Sequence, residues 1–327
     1  MEKKLEITAR LEELGDLDRR IAILNLPTAN LCEKRRERIL VNGKLQQSCL
    51  GCVTQGLTGG KRLSLDEIKE LIDFFAIEYG TKFITINGRG DPFHPLLKKE
   101  TLEKIKYAFA RWGIQSYVFT AGQNLDEETC RFLAENETNA MISLFGNRFI
   151  DAEFFEGKDY PTSERPLQDK KEIAGNIRRL IKAYKSSQLN GITRIGMNYV
   201  VSEEDLEDEN RLLQLKDACD RNDIFLICNT QFDRNSDSTM QLRLEQLARR
   251  HSSFGLRHST TVNDQCQMGA GSSATIDFDG MLLRCPYMPN KEGDGLVGKL
   301  TIQERKKILQ QYIADRTYPC VMRKHQV

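Results

Sequence analysis

Residues 30–56 read NLCEKRRERILVNGKLQQSCLGCVTQG, and they carry Cys32, Cys49 and Cys52 in the spacing C-x16-C-x2-C. No fourth thiolate follows nearby, as it would in a simple zinc ribbon. Three local thiolates can hold three irons of a [4Fe–4S] cube and leave the fourth iron open for another ligand. The interior of the long first gap accounts for its length. Ile39-Leu40-Val41, Asn42-Gly43 and Lys44-Leu45-Gln46 form a hairpin signal, because Asn-Gly supplies the two φ > 0 positions of a type I′ turn. Closing Val41 onto Lys44 brings Arg36 opposite Cys49 and leaves Cys32 four residues from the mouth of the hairpin. The insertion folds out of the way, so the three thiols can converge.

Outside this stretch the chain alternates between strand and helix patterns. Residues 2–17 read as a short amphipathic helix, and 21–26 as a first strand stopped by Pro27 and running into the Cys32 loop. Ser64-Leu65-Asp66-Glu67 is a capping box, followed by Ile68, Leu71, Ile72 and Phe75 at helical spacing. The spacing then predicts a strand at 83–86, a helix at 99–112, a strand at 114–120, a helix at 126–135 and a strand at 140–144. A helix at 168–185, a strand at 192–201, a helix at 204–221, a strand at 224–228 and a helix at 242–251 complete the run. Six strands each followed by a helix imply a parallel sheet with right-handed crossovers. Six units fall short of the eight in a closed barrel, so the expected fold class is α/β, a partial (β/α)6 TIM-like barrel. Active groups in such folds gather at the carboxyl ends of the strands. The cysteine loop, the loop Gly88-Arg89-Gly90-Asp91-Pro92, Thr120-Ala121-Gly122 and Ser143 all fall there.

After about residue 255 the texture changes to short strands and turns. Residues 274–278 and 281–284 form a second hairpin around Asp279-Gly280, flanked by Cys266 and Cys285, and a helix at 302–315 precedes Cys320. The expected division is 1–254 for the barrel and 255–327 for a small C-terminal domain. Lys+Arg number 48 against 47 Asp+Glu among 327 residues, which gives no electrostatic footprint for nucleic acid or an anionic membrane. No apolar run approaches the ~20 residues that span a bilayer. The charged N-terminus lacks an apolar signal region. With nine cysteines, a cytoplasmic, reducing setting and metal-binding thiols are the expectation. Thr58-Gly59-Gly60-Lys61 is no phosphate loop, because Gln55 stands where the first glycine belongs and Arg62 where Ser or Thr belongs.

With these residues in place, the chain resembles the radical S-adenosylmethionine (radical SAM) enzymes from about residue 21 to its end. In that family three cysteines ligate a [4Fe–4S] cluster, and the amino and carboxylate groups of S-adenosylmethionine (AdoMet) occupy the open iron. Cys49-x2-Cys52 matches the family's C-x3-C-x2-C pattern in its second half, while the first half is thirteen residues longer. Gly88, Gly90 and Asp91 resemble the Gly-Gly-Glu-Pro loop, whose glycines let carbonyls approach the methionine ammonium. Thr120 resembles the threonine of a Thr-Asn-Gly strand end, and Ser143 a fourth-strand serine. Arg194 and Asn198 lie four apart on one strand, so they share a face. The resemblance puts Arg194 at the AdoMet carboxylate and Asn198 at the ribose. A plain sheet-satisfying polar residue is the competing reading for each.

The stretch from Cys266 through Gly280 to Cys285 is similar to the auxiliary-cluster domains called SPASM and twitch. That implies one auxiliary [4Fe–4S] cluster on Cys266, Cys285 and Cys320, with a zinc site as the alternative. Cys130 and Cys219 read as buried small hydrophobes. Cys228, at the end of the sixth strand, reads as a candidate catalytic thiol able to donate a hydrogen atom to a substrate radical. The resemblance implies a radical enzyme that cleaves AdoMet to a 5′-deoxyadenosyl radical and abstracts hydrogen from a small molecule such as a sugar, nucleotide or natural-product intermediate. It also implies a flavodoxin- or ferredoxin-type electron donor. Maturation of a peptide is the second expectation, and a non-catalytic zinc or iron–sulfur scaffold a third of another class.

Overall fold

The computed structural model describes residues 21–29, 31–32, 38–41, 44–47, 62–87, 90–145, 165–187, 194–201, 203–207, 209–230, 239–251, 261–262, 265–266, 273–283 and 293–296, with 303 and 307. The expected helix at 2–17 lies outside them, as does most of that at 302–315. In chain order the strands are β1 Ile23–Asn25, β2 Arg38–Val41, β3 Lys44–Gln47, β4 Phe83–Ile86, β5 Gln115–Thr120, β6 Asn139–Phe145 and β7 Ile195–Val201. They continue as β8 Phe225–Thr230, β9 Thr261–Val262, β10 Gln265–Cys266, β11 Ser273–Ile276, β12 Met281–Leu283 and β13 Gly293–Leu296. The helices are α1 Leu65–Tyr79, α2 Lys98–Trp112, α3 Glu127–Glu135, α4 Arg165–Ser186, α5 Glu203–Glu207, α6 Glu209–Arg221 and α7 Thr239–Arg250. β1 and β4 to β8 are each followed by a helix, so the fold is the open, partial (β/α)6 TIM-like α/β barrel that the alternation implies. Among the described residues, no helix is long and apolar enough to cross a membrane.

Local chemistry sets the element boundaries. The Ser64 hydroxyl accepts from Glu67 N–H at 3.3 Å, and Glu67 Oε2 accepts from Ser64 N–H at 2.7 Å, closing the capping box of α1. Asp126 caps α3 in the same way, accepting from Thr129 N–H at 2.8 Å. β2 and β3 pair from Val41↔Lys44 to Arg38↔Gln47, the register that the Asn-Gly turn demands.

The chain divides into two compact units. The first comprises Met1–Leu31, Thr54–Val118 and Thr260–Pro319. Its strands run β13-β12-β11-β1-β4-β5, with β11, β1, β4 and β5 parallel and the β11-β12-β13 run antiparallel. β11, from the stretch set apart as 255–327, thus pairs directly with β1, in the register Ile23↔Ser273 to Asn25↔Thr275. The Asn25 carboxamide fastens this junction. It donates to Ser273 Oγ at 2.7 Å, Ala274 O at 3.0 Å and Thr275 Oγ1 at 3.2 Å, and it accepts from the Thr85 hydroxyl. Ile84, Ile86 and Val118 are fully buried on one face of β4 and β5, while Thr85 and Tyr117 are half-buried on the other.

The second unit comprises Cys32–Val53, Phe119–Ser259 and Cys320–Val327, with β6, β7 and β8 side by side and parallel. One face carries Ile142, Leu144, Met197, Tyr199, Leu226 and Cys228, all buried. The Tyr199 hydroxyl donates to Asp205 of α5 at 2.9 Å, so this face is the one that the helices cover. Ser143, Asn198 and Ile227 stand in register on the opposite, half-buried face.

Candidate active site at the strand ends

In the first unit, pairing between β1 and β4 persists beyond the strands. Leu26 N–H donates to Thr85 O at 2.8 Å and Thr28 N–H to Asn87 O at 3.2 Å. The chain then tightens, with Leu31 N–H donating to Ala29 O at 2.7 Å, and the next residue is the half-buried Cys32. The loop after β4 grips this turn, because Asp91 N–H donates to Leu31 O at 2.9 Å. A Cβ on Gly90 would stand 2.6 Å from Leu31 N and closer still to the carbonyl oxygens of Ala29 and Leu31. Only glycine permits that approach. Gly90 is therefore needed for backbone packing against the segment that presents Cys32.

Asp91 is buried, and its Oδ1 accepts from Phe93 N–H at 2.9 Å, an Asx turn that shapes the loop itself. Two polar atoms at these strand ends are buried without a hydrogen-bond partner: Thr28 Oγ1, on a residue only 1 % exposed, and Asn87 Oδ1. A pair of strand ends that leaves two buried polar atoms unmatched has the chemistry to receive a polar ligand. The sequence does not single out Asn87. The available signal is its place two residues beyond Thr85 and immediately before the glycine loop.

In the second unit, Asn198 Nδ2 lies 3.5 Å from Ser143 Oγ, the limit of a hydrogen bond, on adjacent strands and the same face. These two expected site residues are brought together. Thr120 is buried, and its Oγ1 accepts from Gly122 N–H at 3.1 Å, so the hydroxyl shapes the strand-end turn. Gly122 has φ 84°, and its carbonyl accepts from the Asn176 carboxamide of α4 at 2.8 Å. Asn176, another residue unsignalled by sequence, also accepts from Arg179, which donates to Leu125 O at 3.3 Å as well.

Two other expected site residues stand apart from this pair. Arg194 precedes β7 at its amino end and pairs with Glu137 at 3.1 Å, four residues or roughly 13 Å along the strand from Asn198. Period two identifies a shared face but not the end of the sheet at which a residue sits. Cys228 shares its face with Tyr199, toward the helices, and not with Ser143 and Asn198. It is 3 % exposed, and burial, reinforced by the Asp205 carboxylate, pushes its thiol up to about 12. That placement gives no support to a hydrogen-donating role toward a substrate. Cys130 and Cys219 are buried as small hydrophobes.

Cys49, Cys52, Gly88, Cys285 and Cys320 lie outside the described residues, and Cys266 is described only in its backbone, in β10 opposite Thr261. Among the described residues, no group of three or more His, Cys, Asp and Glu side chains is placed to hold a metal. The described part nonetheless fits a cluster-bound ligand. A half-buried thiol directly follows in sequence a turn locked by glycine packing.

The class of protein follows from the fold: an open α/β barrel of six βα units with its polar features at the strand ends. No protein-family model matches the sequence, and no curated protein matches it at a significant level. Among solved structures, a histidine-tagged form of anSMEcpe with bound AdoMet superposes with a TM-score of 0.58 at 14 % identity, over 89 % of this chain and 80 % of that one. Native anSMEcpe with bound AdoMet and Kp18Cys peptide gives 0.56 at 14 % identity, over 89 % and 84 %. BtrN in complex with AdoMet and 2-DOIA gives 0.45 at 10 % identity, over 91 % and 87 %. At these identities the likeness is one of fold, and the fold is that of the AdoMet-bound anSMEcpe structures.

Proposed function

We propose that the chain is a radical SAM enzyme, with a [4Fe–4S] cluster on Cys32, Cys49 and Cys52 and AdoMet on its open iron. The observation that carries this reading is the glycine-locked turn running into Cys32, at the strand ends of a fold shared with AdoMet-bound structures. When bound and reduced, the cluster supplies the electron that splits AdoMet into methionine and a 5′-deoxyadenosyl radical. In this reading Gly90 and the Asp91 turn fix the Cys32 segment, and Gly88 lets the following backbone approach the ligand. Thr120 and Asn176 hold the Gly122 loop, while Ser143 and Asn198 present neutral polar groups to the nucleoside. Cys266, Cys285 and Cys320, within the 255–327 domain, hold an auxiliary cluster. A flavodoxin- or ferredoxin-type protein delivers the electron, and the setting is cytoplasmic.

The substrate is a small molecule or a peptide. β1 and β4 to β8 contain no charged residue, which favours an uncharged substrate portion at the strands. The peptide reading gains support from the likeness to anSMEcpe solved with the Kp18Cys peptide. The test is anaerobic reconstitution followed by metal analysis and dithionite reduction with AdoMet. Two cubanes correspond to about eight irons per chain, and a scaffold to one or two zincs. Cys32→Ala is expected to stay folded and make no 5′-deoxyadenosine. Retained turnover in that variant, or zinc in place of iron, refutes the proposal.

A further inference from the structure

Gly196 lies inside β7 and is not among the residues with positive φ, so the backbone there does not call for glycine. A glycine within a strand weakens it and marks a place of close approach. At Gly196 the approaching group is Met141 of β6, its register partner. A Cβ on Gly196 would stand 2.5 Å from Met141 Cε and closer still to its Sδ. The same point is 3.6 Å from Phe225 O of β8. The thioether therefore lies across β7, and Met141 is only 5 % exposed.

Met141, Gly196 and Phe225 form one register row on the face of Ser143, Asn198 and Ile227, two residues or roughly 7 Å nearer the amino ends of the strands. Ser143, Asn198, Val200, Phe225 and Ile227 are each half-buried, so this face is not sealed. Within the second unit alone, it sets a neutral polar pair above an apolar row. We infer that the Met141 thioether, seated over Gly196, is the floor of the substrate pocket on this face and sets its depth, so that the part of the substrate reaching below Ser143 and Asn198 is apolar. An apolar group gains by burial there, whereas an ionised one would lose water with no counter-charge on β6, β7 or β8. The inference deepens the function proposed above and takes from it only that this face receives ligand.

The probes are N-alkylacetamides of increasing chain length, from ethyl to octyl, titrated calorimetrically into the reconstituted, unreduced protein without AdoMet. The acetamide group supplies a neutral polar end for Ser143 and Asn198, and the chain measures the depth beneath them. In wild type each added methylene is expected to tighten binding roughly three- to fourfold until the chain meets the floor, where the gain stops. Met141→Ala shortens the side chain and is expected to move that break about two or three carbons later. Gly196→Ala drives the thioether away from the sheet into the space above it, and is expected to move the break earlier. It also serves alone if the Met141 variant does not fold. A methionine that merely fills the core does not produce shifts of opposite sign. Affinities in wild type that do not rise with chain length overturn the inference. So does a break that neither substitution moves, or one that both move the same way. A protein that shows the expected shifts yet makes no 5′-deoxyadenosine from AdoMet overturns the radical SAM reading and leaves the floor in place.

Discussion

Replacing Gly90 by alanine puts a methyl group into backbone. The new Cβ would lie 2.6 Å from Leu31 N, where ordinary contact begins at 3.4 Å, so the two segments must separate by at least about 0.8 Å. Rigid backbone has no rotamer with which to yield. Overpacking of this kind costs about 1–3 kcal/mol. Separation also stretches the 2.9 Å bond from Asp91 N–H to Leu31 O, a further loss of about 1 kcal/mol. A total of roughly 2–4 kcal/mol corresponds to a fall in Tm of roughly 4–10 °C. Gly175→Ala is the matched control. Gly175 lies inside α4, and a Cβ there meets nothing within 4 Å, so alanine is expected to stabilise by about 0.5–1 kcal/mol. Thermal melts of both variants, with iron content after reconstitution, are the assay. The Gly90 variant should melt lower and hold less iron, because the displaced turn carries Cys32. A Gly90→Ala protein with wild-type Tm and full iron content would refute the packing argument.

Other changes test other parts of the molecule. Asn25→Leu removes two N–H donors shared among three acceptors and strands the Thr85 hydroxyl, so urea unfolding should show a loss of roughly 2–4 kcal/mol. Lys104, almost fully buried on α2, pairs with Glu100 at 2.8 Å, and burial pulls its pKa down against that partner. Glu100→Gln should cost roughly 2–4 kcal/mol by leaving the ammonium without its counter-charge, whereas Lys104→Met should be close to neutral. Cys228 sets an alkaline limit. Its thiol is raised from 9.0 to about 12 in the folded protein, so the unfolded chain loses its proton first. The resulting stability is complete below pH 9.0 and falls away as pH climbs through about 12. Unfolding midpoints measured across that window should decline less in Cys228→Ala than in wild type.

What the sequence made legible was local. Asn42-Gly43 dictates its turn within two residues, and the β2–β3 register follows from it. Ser64 and Glu67 satisfy each other three residues apart, so the start of α1 is written in four letters. The alternation of β1 and β4 to β8 with helices likewise depends on short-range periodicity. Site chemistry depended on longer-range partners. Cys228 and Asn198 look equally placed until the Tyr199↔Cys228 register assigns them to opposite faces. Arg194 lies four residues from Asn198, at the amino end of β7, and its partner Glu137 is 57 positions away in the chain. Asp91 accepts Phe93 N–H with one carboxylate oxygen, a turn-shaping bond that its place in the motif does not announce. The unmatched side-chain oxygen of Asn87 is visible only in the fold, and no string of letters records it.

The pairing of β1 with β11 has a consequence for synthesis. Asn25 finds Ser273 across 248 positions of chain, so one side of β1 stays unzipped until nearly the whole polypeptide has left the ribosome. At about 5–20 residues per second that interval lasts roughly ten to fifty seconds. Throughout it, Ile23 and Leu24 offer an apolar, hydrogen-bond-hungry margin to any neighbouring nascent chain. A protein threaded in this order depends on chaperone cover early in its life, and a stop codon shortly before residue 273 is expected to yield inclusion bodies instead of a shortened barrel.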